Sequence, residues 1–102
     1  MLEEGHIHYV IRERSWVARL AAWKLRASSV AIVVGKTIHL HNVSKDNFLK
    51  DEQWFKHEYC HLRQFKQHGF LPFIGKYLWE SIRHGYFNNK YEVEARAAEN
   101  SP

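Results

Sequence analysis

The sequence predicts an α+β domain in which one β-hairpin, with a third strand beside it, packs against about four helices. Residues 30–41 hold a β-branched run, Val30-Ala31-Ile32-Val33-Val34, and an alternating run, Thr37-Ile38-His39-Leu40-His41. Gly35-Lys36 joins them, which is the pattern of a two-residue hairpin. The flanking segments repeat apolar residues at helical spacing between recognisable caps. The 102 residues are 45% hydrophobic and 15% aromatic, enough for one core, and no repeat or Pro/Gly-rich linker divides them. Residues 1–102 are therefore expected to form one domain.

The elements follow in order. Residues 6–11, His-Ile-His-Tyr-Val-Ile, alternate in polarity and read as the third strand or an extended arm. Ser15 is the N-cap expected for a helix over residues 16–27, where Trp16, Leu20, Trp23 and Ala27 share one stripe and Arg19, Lys24 and Arg26 lie off it. Such a helix also suits a membrane surface, but in so short a domain the stripe is expected to face the core. Ser44 or Asp46 starts a helical turn through Phe48 and Leu49, and Asp51 caps a longer helix running to about His68, with Gly69 as its stop. Pro72 suits the first turn of the next helix, which buries Phe73, Tyr77, Leu78 and Ile82 and ends at Gly85. A loop over residues 86–90 leads to a last helix, rich in Ala, Glu and Arg, from Tyr91 to about Asn100.

Composition removes several classes. The single cysteine, Cys60, rules out an intramolecular disulfide, and the acidic start of the chain lacks a signal-peptide pattern, so a cytoplasmic protein is expected. The formal net charge is +4 and the pI near 9.3, but the 15 Lys and Arg are interleaved with 11 acids along the chain. Neither a nucleic acid nor a membrane is expected as partner, and nothing specifies an oligomeric state.

The run His57-Glu58-Tyr59-Cys60-His61 carries the chemistry. Histidines four apart on a helix project from one face, so His57 and His61 offer two imidazoles to one metal ion. Glu58, beside His57, reaches a metal-bound water without ligating, the position of a general base. A catalytic zinc needs a third protein ligand.

These residues resemble those of the gluzincin metallopeptidases, in particular very small bacterial members that keep little beyond the catalytic core. The matching runs are His-Glu-Tyr-Cys-His-Leu-Arg-Gln-Phe over residues 57–65 and Tyr-Glu-Val-Glu-Ala-Arg-Ala over residues 91–97, and the likeness covers about residues 37–100. The resemblance implies a small zincin-like fold, Zn2+ as cofactor, a peptide or protein substrate, and a glutamate ligand on a helix after the motif helix. Glu92 and Glu94 compete for that role and lie about 200° apart around a helix. Glu92 is preferred, because it precedes Ala95 and Arg96 as the family ligand precedes an Ala-Asp pair. Arg96 departs from the family aspartate that orients a ligand histidine, a task left to another carboxylate such as Asp51 or Glu80. The resemblance also implies that the strand Thr37, Ile38, His39, Leu40, His41 is the edge along which the peptide lies. His84, Tyr86 and Tyr91 are the candidates for stabilising the oxyanion.

The remaining candidates read as structural. His39 and His41, like His6 and His8, share a strand face and are expected to be exposed near the cleft, and Cys60 is expected to pack against the hairpin. Arg63, Lys66, Lys76 and Arg83 fit the solvent faces of helices. The expected function is thus zinc-dependent hydrolysis of peptide bonds with Glu58 as general base. The rival is a zinc-binding or protein-interaction domain whose catalysis has lapsed, favoured by the short stretch after Glu92 that could shape a pocket.

Overall fold

The structure is a computed structural model that describes residues 7–101. Its elements are β1 (Val10–Arg12), α1 (Trp16–Leu25), β2 (Val30–Val34), β3 (Thr37–His41), α2 (Lys45–Lys50), α3 (Glu52–His68), α4 (Phe70–Asn88) and α5 (Lys90–Ala98). The hairpin forms as expected, with Val34 paired to Thr37 and Val30 to His41. Gly35 has φ +66, which a turn with glycine at its first central position requires. The helical turn expected at Ser44 is α2, so the helices among the described residues number five.

The third strand is displaced from its expected place. It spans Val10–Arg12 rather than residues 6–11, of which His6 lies outside the described residues, and it runs parallel to β3 in register Val10↔Thr37 and Arg12↔His39. Pairing with β3, not alternation alone, sets its position. The sheet order is therefore β1-β3-β2. This overturns the expectation that residues 37–41 form the edge: β3 is central, because β1 covers its second side as far as His39 and Ser15 N donates to Leu40 O beyond it. The free edge beside the helices is β2. In a two-residue hairpin the pair at the turn is hydrogen-bonded and pair types alternate along the ladder, so Ala31 and Val33 turn their N–H and C=O groups away from β3.

Helices lie on both faces of the sheet. On one face Val33, Ile38 and Leu40 pack with Phe48 of α2, Leu62 and Phe65 of α3, Phe73 of α4 and Tyr91 of α5. On the other, α1 seats Ala18 and Ala22 against Val30 and Ile32. Here the expected stripe is wrong by half a turn. Trp16, Leu20 and Trp23 are 74%, 57% and 76% exposed, whereas Ala18 and Ala22 are buried. The two alanines, one turn apart, let the helix approach the sheet closely, and large side chains have no room in that gap.

Caps start three helices where the sequence places them, and Gly69 ends α3, but α1 stops at Leu25 rather than Ala27. The Ser15 hydroxyl accepts from Val17 N and Ala18 N, Ser44 from Asn47 N, and Asp51 from Trp54 N. Helix α4 begins at Phe70, two residues before Pro72, and a further turn follows the break at Gly85 (φ +83), so the expected loop is mostly helical. Buried Asn89 then starts α5: its Oδ1 accepts from Tyr91 N, while its Nδ2 donates to Tyr77 O and Ser81 Oγ. That one side chain fixes α5 against α4. Among the described residues no helix is long and apolar enough to cross a membrane.

The α1 packing has a direct test. Replacing Ala22 by Leu overfills the gap between helix and sheet and is expected to cost about 1–3 kcal/mol, whereas Trp23→Ala changes stability by no more than about 0.5 kcal/mol. Urea denaturation of both variants checks the pair, and the reverse ranking would put the tryptophans back in the core.

Candidate metal centre

Helix α3 buries Leu62 and Phe65 against the sheet, and this orientation turns His57, Glu58 and His61 toward a cleft between β2 and α4. Helix α5 packs along α3 and brings Glu92 to the same point. Glu92 Oε1 lies 3.1 Å from His57 Nε2 and Glu92 Oε2 lies 3.2 Å from His61 Nε2. One ligand atom from each of the three residues lies within 4.8 Å of the other two. Tetrahedral zinc, with bonds of about 2.0–2.2 Å, places neighbouring ligand atoms about 3.4 Å apart, so the set fits one such ion.

The outer nitrogens decide where the lone pairs point. Gln64 commits its amide nitrogen to Tyr91 O at 3.1 Å and Glu94 Oε1 at 2.7 Å, leaving its oxygen to accept from His61 Nδ1 at 2.8 Å. His57 Nδ1 donates to Glu99 Oε2 at 2.7 Å. Each Nδ1 is thus engaged as a donor, and each Nε2 faces Glu92, protonated toward it when no cation is bound and the nitrogen left to ligate when one is. Two lone pairs facing a buried carboxylate require positive charge between them, either protons or a cation.

The titration behaviour follows from the same contacts. Burial lowers the affinity of both histidines for a proton, but for His57 the hydrogen bonds to Glu92 and Glu99, and for His61 the bond to Glu92, outweigh it and raise both above the usual imidazole value. Burial would likewise raise Glu92, yet His57 and His61 hold its carboxyl well below the ordinary carboxylate range. Glu58 has no such compensation: burial pushes its carboxyl up to about 8, His61 opposes the rise, and the charge of Glu92 adds to it. A carboxyl poised near neutrality beside the ligand set is suited to taking and returning a proton.

Some sequence-predicted residues lie elsewhere. Glu94 accepts from Gln64 on another side of α3, away from the two Nε2 atoms. Tyr91 is a core residue packed edge-on to Phe73, and exposed His84 is not among the cleft residues, so of the three oxyanion candidates only Tyr86 lines the cleft. Burial pushes its phenol up to about 12. Sequence reasoning treated Tyr77 as core only; its hydroxyl donates to Glu92 Oε2 and it lines the same cleft. His39 faces away from this site, with Nδ1 2.7 Å from Ser15 Oγ beneath α1, so the expected exposed histidine face near the cleft is not formed.

The carboxylate that His57 Nδ1 meets is Glu99, not Asp51, which caps α3, nor Glu80, which accepts from Lys90 N. Arg96 instead donates to Phe87 O at 2.6 Å and covers the Phe87 ring. Cys60 is buried, as expected, and burial raises its thiol to about 11, which keeps it protonated and inert. Around the site the cleft is apolar, about 220 Å³, and runs along the β2 edge between Leu25 of α1 and Ile74 and Leu78 of α4. No family model, curated protein or solved structure matches the chain.

Two outcomes test this assignment. Glu99→Gln is expected to weaken zinc binding about tenfold to hundredfold, and Arg96→Ala to leave it unchanged, by competition with a chromophoric chelator. In chelator, stability should fall as pH rises from about 5 to about 8, because the raised Glu58, His57 and His61 groups favour their protonated forms in the folded state. Glu58→Gln should flatten that slope in denaturation curves taken across the range.

Proposed function

We propose that the protein is a zinc-dependent peptide hydrolase working in the cytoplasm. The observation that carries this reading is the convergence of two imidazole lone pairs and the Glu92 carboxylate beside a buried, non-ligating Glu58, on the wall of a cleft that borders a free sheet edge. His57, His61 and Glu92 would hold the metal. Bound zinc lowers the pKa of its water and polarises a carbonyl.

The chain's own residues supply the rest. The outward N–H and C=O groups of Ala31 and Val33 accept an extended peptide as a fourth strand, so β2 takes the role that the family likeness assigns to the strand before the motif helix. Leu25, Ile74 and Leu78 give the cleft an apolar lining beside that strand. Glu58 would take the proton of the attacking water and pass it to the leaving amine, a role that the bound cation's charge favours by holding the carboxyl ionised against its burial. Tyr86, whose phenol stays protonated, faces the cleft as the donor to the developing oxyanion, and Tyr77 steadies the Glu92 oxygen turned toward His61.

The test combines metal content with cleavage. Purified protein is expected to hold about one zinc per chain, and His57→Ala and Glu92→Ala to lose it, by elemental analysis. Glu58→Gln should keep the zinc while cleavage of a fluorogenic peptide library falls by about a hundredfold or more. Zinc retained with no cleavage by the parent protein would instead make this a zinc-stabilised binding domain.

A further inference from the structure

We propose that the outer face of α1 docks on an anionic phospholipid surface. Trp16, Leu20 and Trp23 stand about one turn apart on the side of α1 opposite Ala18 and Ala22, and all three are exposed. Residues 12–26 hold Arg12, Arg14, Arg19, Lys24 and Arg26 against one acid, Glu13, whose carboxylate accepts from Lys45 N. This segment alone carries +4, the formal net charge of the entire chain, so the rest of the sequence sums to zero. The apolar stripe thus lies on α1, and the positive charge on α1 (Arg19, Lys24) and on the residues flanking it (Arg12, Arg14, Arg26).

The combination selects the occupant. Tryptophan settles at the headgroup level of a bilayer, leucine reaches the acyl boundary, and Arg and Lys meet lipid phosphates and carboxylates, so an anionic interface satisfies every part of the face at once. A nucleic acid would neutralise the cations and leave Leu20 in water. A second copy in a two-fold dimer would set +4 against +4. The helix is ten residues long, which suits reversible partition rather than insertion.

The inference departs from the expectation that the chain uses no membrane. That expectation assigned Trp16, Leu20 and Trp23 to the core, where the structure does not put them. It is independent of the metal centre, to which none of these residues contributes a ligand. It does bear on the cleft, because Ala21 and Leu25 line it. Docking would hold the cleft about one helix diameter, ~10 Å, from the bilayer.

Vesicle flotation of the full chain tests the proposal, using phosphatidylcholine alone and phosphatidylcholine mixed with phosphatidylserine. The protein is expected to float with the mixed vesicles only, and retention should fall as salt is raised. Arg19→Gln and Lys24→Gln should each lower the partition coefficient about fivefold. The Trp16→Ser/Trp23→Ser double variant should stay with the soluble fraction while its circular dichroism and unfolding midpoint match the parent. No flotation with phosphatidylserine vesicles overturns the proposal, as does undiminished flotation of the double variant. Retention on DNA, or concentration-dependent dimerisation, in place of vesicle binding would overturn it as well.

Discussion

The arrangement of the site depends on one contact, the packing of α5 along α3. It places a buried carboxylate between two imidazoles whose other nitrogens are already engaged. Neither helix has a reason to carry these groups alone. His57 and His61 on an isolated helix would be solvated bases, and Glu92 a solvated acid. Brought together out of water, they hold three electron pairs at one point, an arrangement that costs free energy unless a cation or protons occupy it. Asn89 makes this geometry dependable, because one amide satisfies the start of α5 while bonding to Tyr77 O and Ser81 Oγ on α4. Tyr77, on that same helix, donates to the ligand carboxylate. The fold and the candidate chemistry are linked through these few polar bonds.

What could be read from the sequence was what is local. The bounds of α3 follow from Asp51 and Gly69, the hairpin from two alternating runs around Gly35, and the paired imidazoles from helical periodicity. Glu92 was reachable only through the family resemblance, since nothing in a 35-residue separation from His57 reports a contact. Glu99, Gln64 and Tyr77 are contacts of the same non-local kind, or lie on helix faces that read equally well as surface or core. Gln64 had a weak signal, three residues after His61 on the motif helix, where a polar side chain reaches the same imidazole. The edge strand was misplaced for a different reason. Hairpin patterning shows that two strands pair, but which of them meets a third depends on where the chain before α1 returns.

Helix α1 shows how a hydrophobic pattern misleads. Its sequence contains two apolar stripes, one of tryptophans and leucine and one of alanines, and hydrophobicity alone favours the larger residues for the core. Packing distance reverses this ranking. A helix laid on a short sheet gains by close approach along its whole length, which Ala18 and Ala22 permit and Trp16 and Trp23 would prevent. The stronger stripe is left in water, and because exposing two tryptophans contributes nothing to folding, their presence asks for an explanation outside the fold.

The same close approach also shapes the cleft. With α1 held down by alanines, Ala21 and Leu25 come level with β2 and form one wall, while Ile74 and Leu78 of α4 form the other. A bulkier inner face would lift α1 off the sheet and withdraw that wall, leaving the β2 edge open to solvent on one side. Placing small residues inside and large ones outside therefore does two things with one helix. It keeps an apolar wall beside the unpaired amides of Ala31 and Val33, and it turns a cationic aromatic face outward. A domain of 102 residues has little surface to spare. Using both sides of its first helix lets this domain set a cleft and a docking face one helix diameter, ~10 Å, apart.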